Sequence, residues 1–279
     1  MKYLFRSRLP ENQSFLVKHR NTYAPTSTDH HDYHPHYEVY FCNDYIDQNI
    51  TINGTTVTMH TPNIIISAPF SIHSMLPTDP EQTRFERYVL FFNDAMFTML
   101  DNSLFSQDFF SNYSNCIFPL TAESAKEFSS MFDYMLSPNV TPAEQKLLFA
   151  LFINTLARRV PTDERVLYGM TNHYIVEVLQ YIYRHLTEEL TSQSISEAFH
   201  ISRAKLDRDF RRFVGQSIHQ ALMNCRLTRA TDLLAGTRIP VKQVAELCGF
   251  DNEYYFYSFF KRNTGKTPLA FRKNYDETK

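Results

Sequence analysis

The sequence predicts an α+β multidomain chain: a β domain over residues 1–120, a helical pair over 121–160, a linker over 161–171, and an all-α tandem helix-turn-helix domain over 172–279. Three observations carry this. The first third consists of short runs of branched and aromatic residues divided by turn formers. Two stretches with apolar residues at helical spacing follow. The last hundred residues repeat a pattern of core and stop positions about fifty residues apart. A length of 279 residues, 43% of them hydrophobic, suffices for two cores and excludes a largely disordered chain.

The strand candidates are Phe15-Leu16-Val17, Tyr37 to Phe41, Ile50 to Ile52, Thr55 to Met59, Ile64 to Ser67 and Tyr88 to Phe92, at spacings typical of a sandwich or barrel. Asn53-Gly54 accepts positive φ at both central positions of a type I′ turn, so it closes a two-residue hairpin. The segment HHDYHPHYEVYF alternates: His34, His36, Glu38 and Tyr40 fall on one strand face, and Tyr33, Tyr37, Val39 and Phe41 on the other.

Thr121 to Leu136 and Pro142 to Arg159 predict two amphipathic helices. Phe128, Met131, Phe132 and Met135 form one stripe; Leu147, Leu148, Leu151, Phe152 and Leu156 form the other. Such a pair either dimerises or packs on its own β domain. Pro161 to Gly169 is short and polar, as a linker requires.

From Asn172 every segment reads as helix. Tyr174, Ile175, Val178, Leu179, Ile182 and Leu186 make an apolar stripe, and Ser194 to Glu197 reads as a capping box. Ile195, His200 and Ile201 lie 49 residues before Val244, Gly249 and Phe250; Leu206, Phe210 and Gly215 lie 50 before Phe256, Phe260 and Gly265. The two units therefore share one fold, helix–turn–helix, joined by a continuous helix over Ser217 to Leu234. Gly249 suits a left-handed helix stop, whereas His200 in its place predicts strain.

Net charge is −2 overall but divided unevenly. Residues 170–279 carry 16 Lys+Arg against 12 Asp+Glu (+4), and residues 1–169 carry 12 against 18 (−6). The basic surplus falls in the helical half, as phosphate contact requires. Cys42, Cys116, Cys225 and Cys248 form no CxxC pair, which disfavours disulfide frameworks and zinc fingers and favours a reducing cytoplasm. Neither a secretory signal nor an apolar run of membrane-spanning length is present, so no membrane association is expected.

The letters Val244-Ala245, Gly249-Phe250, Tyr255-Phe256, Phe260-Lys261, Gly265, Pro268 and Arg272 resemble the C-terminal signature of the AraC/XylS family of bacterial transcription regulators. The strand bearing His34, His36 and Glu38, with the segment ending at His73, resembles the family's cupin-like sensor barrel. It departs from the metal-binding cupin pattern in spacing and in having Asn63 where glycine is usual. The resemblance implies a DNA-binding transcription regulator controlled by an effector in the barrel, with double-stranded DNA, RNA polymerase and a second copy of the chain as partners. A small molecule, with sugars among the candidates, or a peptide would be the effector. Its site would use His34, His36, Glu38, Tyr40 and His73.

Positions matching the family's base-contacting slots are Arg203, Ala204, Asp207 and Arg208 in the first unit, and Glu253, Tyr254, Tyr257 and Ser258 in the second. Arg208 suits guanine and Ala204 a thymine methyl. Ser258 stands where arginine is common. For Asp207 and Glu253 a helix-stabilising role outweighs base contact. Lys205, Arg211, Arg212, Lys261, Arg262 and Lys266 are phosphate candidates. Leu206, Phe210, Phe213, Phe256, Phe259 and Phe260 are expected in the core. The competing reading is a metal-dependent cupin enzyme with His34, His36, Glu38 and His73 as ligands. The irregular spacing and the unexplained tandem helix-turn-helix disfavour it, so no catalytic residue, metal or cofactor is expected. A third reading is a structural DNA-binding protein that senses nothing.

Overall fold

The computed structural model describes residues 2–5, 15–21, 30–60, 62–79, 81–82, 84–93, 96, 114–159, 166–167 and 174–276. The chain divides into two compact units, residues 14–171 and residues 172–279 with 1–13. Most of the expected linker lies outside the described residues.

After a short strand β1 (Lys2–Phe5), which clusters with the second unit, the first unit contains β2 (Phe15–Arg20), β3 (His30–Tyr33), β4 (Tyr37–Cys42), β5 (Asp47–Ile52) and β6 (Thr55–His60). Next come β7 (Asn63–Ser67), β8 (His73–Pro77), β9 (Arg87–Phe92) and β10 (Cys116–Pro119). Helices α1 (Ala122–Met135) and α2 (Pro142–Arg159) follow, and then β11 (Val166–Leu167). One sheet runs β11-β10-β7-β4-β9-β2, and another contains β3-β8-β5-β6 in that order. All the pairings within this unit are antiparallel.

Among the described residues these two sheets are not joined into a closed barrel, which corrects the barrel expectation. Chain passes between them at prolines. His34-Pro35-His36 separates β3 from β4, and a bend through Pro69 and Phe70 (φ +64) separates β7 from β8. Proline has no N–H for a ladder and ends a strand there. The strand starts at Tyr37 as expected, so the alternation of faces read from His34 to Phe41 is broken at Pro35. The hairpin holds: Asn53 and Gly54 have φ of +49 and +85, and Ile52 pairs with Thr55.

Alternation places Val39 and Phe41 of β4 against helices. They share a buried core with Ile64, Ile66, Tyr88, Leu90, Phe92, Phe128, Phe132, Phe149 and Phe152. Both helices thus cover the six-stranded sheet of their own unit. The apolar stripe of α2 is rotated from the one expected: Phe149, Phe152, Ile153 and Leu156 point inward, while Leu147 and Leu151 are exposed.

The second unit comprises α3 (Tyr174–Arg184), α4 (Ser192–Ala198), α5 (Arg203–Val214), α6 (Ile218–Gly236), α7 (Val241–Leu247), α8 (Glu253–Thr264) and α9 (Pro268–Asp276). Helices α5 and α8 are both twelve residues long, start fifty residues apart and end on Gly215 and Gly265, at φ +74 and +76. Ser202 and Asn252 cap their N-termini through the amides of Lys205 and Tyr255. The capping box of α4 is Thr191 with Ser194, earlier than expected, because the helix begins at Ser192 rather than Ile195.

Val214 is fully buried and Phe213 only partly, a one-position correction to the core of α5. The long helix α6 contacts α3 and α5 and also α7 and α9, so it braces both units. Two arginines fasten this frame. Arg226 of α6 donates to the carbonyls of Leu186 (2.7 Å) and Glu188 (2.9 Å). Arg272 of α9 donates to those of Leu234 (3.4 Å) and Ile239 (2.7 Å).

Candidate nucleic-acid interface and a buried histidine–glutamate cluster

Two turns set the angle at which α5 and α8 leave their partners. After α4, His200 N–H donates to Glu197 O and Ile201 N–H to Ser196 O. After α7, Gly249 N–H donates to Glu246 O and Phe250 N–H to Ala245 O. Both are Schellman stops, which need a left-handed residue. His200 (φ +54) and Gly249 (φ +75) supply it, so the strained histidine expected from the sequence is present.

On α5, Leu206, Phe210 and Val214 are buried. Arg203, Ala204, Lys205, Arg208, Arg211 and Arg212 are exposed and Asp207 is half-buried. On α8, Phe256, Phe259 and Phe260 are buried. Glu253, Tyr254, Ser258, Lys261 and Arg262 are exposed, with Tyr254 at 87% and Tyr257 half-buried. Lys266 is exposed just beyond Gly265. Each helix thus presents a continuous outer surface opposite its core face. The first is cationic. The second is aromatic and hydroxylic, with cations at its C-terminal end.

Side-chain pairing sorts these cations. Lys205 binds the Asp209 carboxylate and lies 4.7 Å over the Tyr174 ring, and Tyr174 Oη donates to Asp209 at 2.8 Å. These bonds, Lys205 first, hold the Asp209 carboxyl down at about 2. Lys205 therefore ties α5 to α3, a role the sequence reading did not assign. Tyr174 and Asp209 were missed because nothing in their spacing marks them as partners. Arg208 donates to Asp209 at 3.3 Å and is otherwise turned outward; Arg203 pairs with Asp207 at 3.5 Å. Asp207 is thereby engaged within its own helix.

In the first unit, three of the five expected effector residues converge. Glu38 Oε2 lies 2.8 Å from His34 Nε2 and 3.1 Å from His73 Nε2, all three side chains being buried. The other ring nitrogens donate to carbonyls: His34 Nδ1 to His36 O (3.0 Å) and His73 Nδ1 to Ser71 O (2.9 Å). Burial opposes charge on Glu38, but the imidazoles outweigh it and hold its carboxyl below the usual range. Burial opposes charge on His73 too, and Glu38 outweighs that, raising it. His36 and Tyr40 stand apart. The His36 ring is 6.1 Å from that of His34, and burial with the charge of His34 lowers it to about 3. Tyr40 Oη accepts from Gln48 Nε2 at 2.9 Å.

The helix-turn-helix domain family matches residues 195–274. The xylose operon regulatory protein of Haemophilus influenzae is 31% identical over 120 residues, 43% of this chain and 30% of that one. The arabinose operon regulatory protein of Escherichia coli is 28% identical over 153 residues, 54% of this chain and 52% of that one. The chain thus spans about a third to a half of the curated relatives it matches. Among solved structures, ToxT from Vibrio cholerae O395, bound to (E)-4-(8-methylnaphthalen-1-yl)but-3-enoic acid, overlays with a TM-score of 0.51 at 15% identity. That match covers 94% of this chain and 98% of ToxT, a likeness of fold. No described helix is long and apolar enough to cross a membrane. Residues 195–274 thus form a helix-turn-helix domain similar to that of these operon regulators.

Proposed function

We propose that the chain regulates transcription by placing α5 and α8 in successive major grooves on one face of DNA, with an effector in the β unit biasing that binding. The observation that carries this reading is the matched pair of capped, equal-length helices on one brace, α6. Two such helices reach neighbouring grooves if held about 34 Å apart. Arg203, Ala204, Asp207 and Arg208, with Glu253, Tyr254, Tyr257 and Ser258, are the base-facing set in this reading. Arg211, Arg212, Lys261, Arg262 and Lys266 hold phosphates. Lys205 contributes chiefly to frame stiffness, given its bond to Asp209.

The proposed effector site centres on His34, Glu38 and His73, which converge, with His36 and Tyr40 as its outer members in this reading. An effector acts only through a difference in affinity between two arrangements. Exposed Leu147 and Leu151, four residues apart on α2, support a homodimer through that helix. RNA polymerase is the proposed downstream partner. Four buried cysteines, none of them in a disulfide, fit a reducing cytoplasm.

Footprinting with hydroxyl radical on selected DNA tests the reading. The expected pattern is two protected patches per chain, about one helical turn apart on one face. Protection confined to one groove would refute it.

A further inference from the structure

We propose that His34, Glu38 and His73 form a binding site for a divalent transition-metal ion. This deepens the proposed effector site and rests on that region being a binding site. A backbone carbonyl only accepts hydrogen bonds, so the contacts of His34 Nδ1 with His36 O and of His73 Nδ1 with Ser71 O put a proton on each Nδ1. In a neutral imidazole the Nε2 atom is then a bare lone pair. Both Nε2 atoms face the same carboxylate oxygen, Glu38 Oε2, at 2.8 and 3.1 Å. Three acceptors converge in a buried space, with their ligand atoms all within 4.8 Å of one another.

With both imidazoles neutral and Glu38 a carboxylate, three lone pairs face one another, and either protons or one cation between them would relieve this. Two buried imidazoliums would share a single carboxylate, with their rings 5.0 Å apart. One metal ion satisfies all three acceptors at once. Bonds of about 2.0–2.1 Å at tetrahedral angles place ligand atoms roughly 3.3 Å apart, so the cluster need open by only a few tenths of an ångström at its carboxylate edges. An Nδ1–H held by a carbonyl is also the usual outer support of a metal-bound histidine. Three protein ligands leave further positions for water or an effector atom, and two imidazoles with one carboxylate suit zinc, cobalt, nickel or iron. His36, the fourth residue of the metal set considered from sequence, lies outside the cluster.

The test uses the full-length chain, stripped with chelator, re-equilibrated with Zn2+ and read by elemental analysis and by competition with a chromophoric chelator. The expected result is about one equivalent per chain, with affinity at least about 100-fold lower in Glu38→Gln and in His73→Ala. His60→Ala, at an exposed histidine, should bind as the wild type does. Glu38→Gln preserves shape, and circular dichroism checks each variant's fold. A Co2+-loaded sample should show visible d–d absorption that Glu38→Gln lacks. Substoichiometric metal in the wild type, or equal binding by the variants, would overturn the site in favour of a protonated pair. The readout involves no DNA, so its failure leaves the footprint result standing.

Discussion

Gly249 is the most demanding position in the tandem domain, and three substitutions separate why. Gly249, Gly265 and His200 all have left-handed φ, of +75, +76 and +54. A side chain in that region costs about 1–2 kcal/mol, offset by about 0.5–1 kcal/mol because a residue with a Cβ has less freedom to lose on folding. For Gly265→Ala, nothing lies within 4 Å of the new Cβ. Only the backbone term applies, and the loss should be about 1 kcal/mol. For Gly249→Ala the new Cβ would sit 2.6 Å from Leu186 O and 2.8 Å from Thr187 Cα. Both are backbone atoms beyond α3, and Leu186 O is already held by Arg226. Neither can rotate aside, so overpacking adds about 1–3 kcal/mol, for a total of about 2–4 kcal/mol. His200→Gly should run the other way, from neutral to about 1 kcal/mol stabilising. Urea unfolding of the full chain, followed by far-UV circular dichroism, ranks the three. In a unit of this size each kcal/mol moves the melting temperature by about 4–8 °C. If Gly249→Ala lost no more than Gly265→Ala, the claim that α3 packs against this turn would be wrong. If His200→Gly were clearly destabilising, the strain assigned to that residue would be wrong.

Arg208→Ala should relax preference at one base pair by about 1–3 kcal/mol, whereas Lys261→Ala should weaken all sequences alike and reduce the salt slope by about one; equal losses on selected and random DNA for Arg208→Ala would refute base reading. Arg272→Lys cannot reach both Leu234 O and Ile239 O and should cost about 1–3 kcal/mol, measured by the same unfolding assay. Asp209 has a depressed folded pKa of about 2. Its contribution is therefore fully present above its unfolded value, near 3.9, and lost as pH falls through about 2. Asp209→Asn should flatten the stability profile in that acidic window; an unchanged profile would remove the Tyr174–Asp209–Lys205 tie.

The helical half was legible because its determinants are local. Apolar spacing, stop glycines and caps act within a few residues, so α5 and α8 could be placed almost to the residue, and the fifty-residue repeat supplied an internal check. Where local signals compete, a boundary or core position shifts by one residue or one turn. Ser194 is a capping residue, but as the partner of Thr191 rather than as the cap itself. Phe213 and Val214 are adjacent apolar residues, and only packing decides which turns inward.

The β half was legible as strands spaced for a sandwich or a barrel but not in its pairing, because which strand pairs with which depends on contacts far apart in sequence. The same limit explains the histidines. Strict alternation grouped His34, His36, Glu38 and Tyr40 on one face, yet Pro35 breaks the ladder and folds His34 back over Glu38 four residues later. His73, 35 residues beyond Glu38, joins them only through the bend before β8. Counting residues between ligands therefore argued against a metal, while the direction of two Nδ1–H bonds argues for one. Spacing along a chain measures a site only where the chain runs straight, and here it turns at a proline.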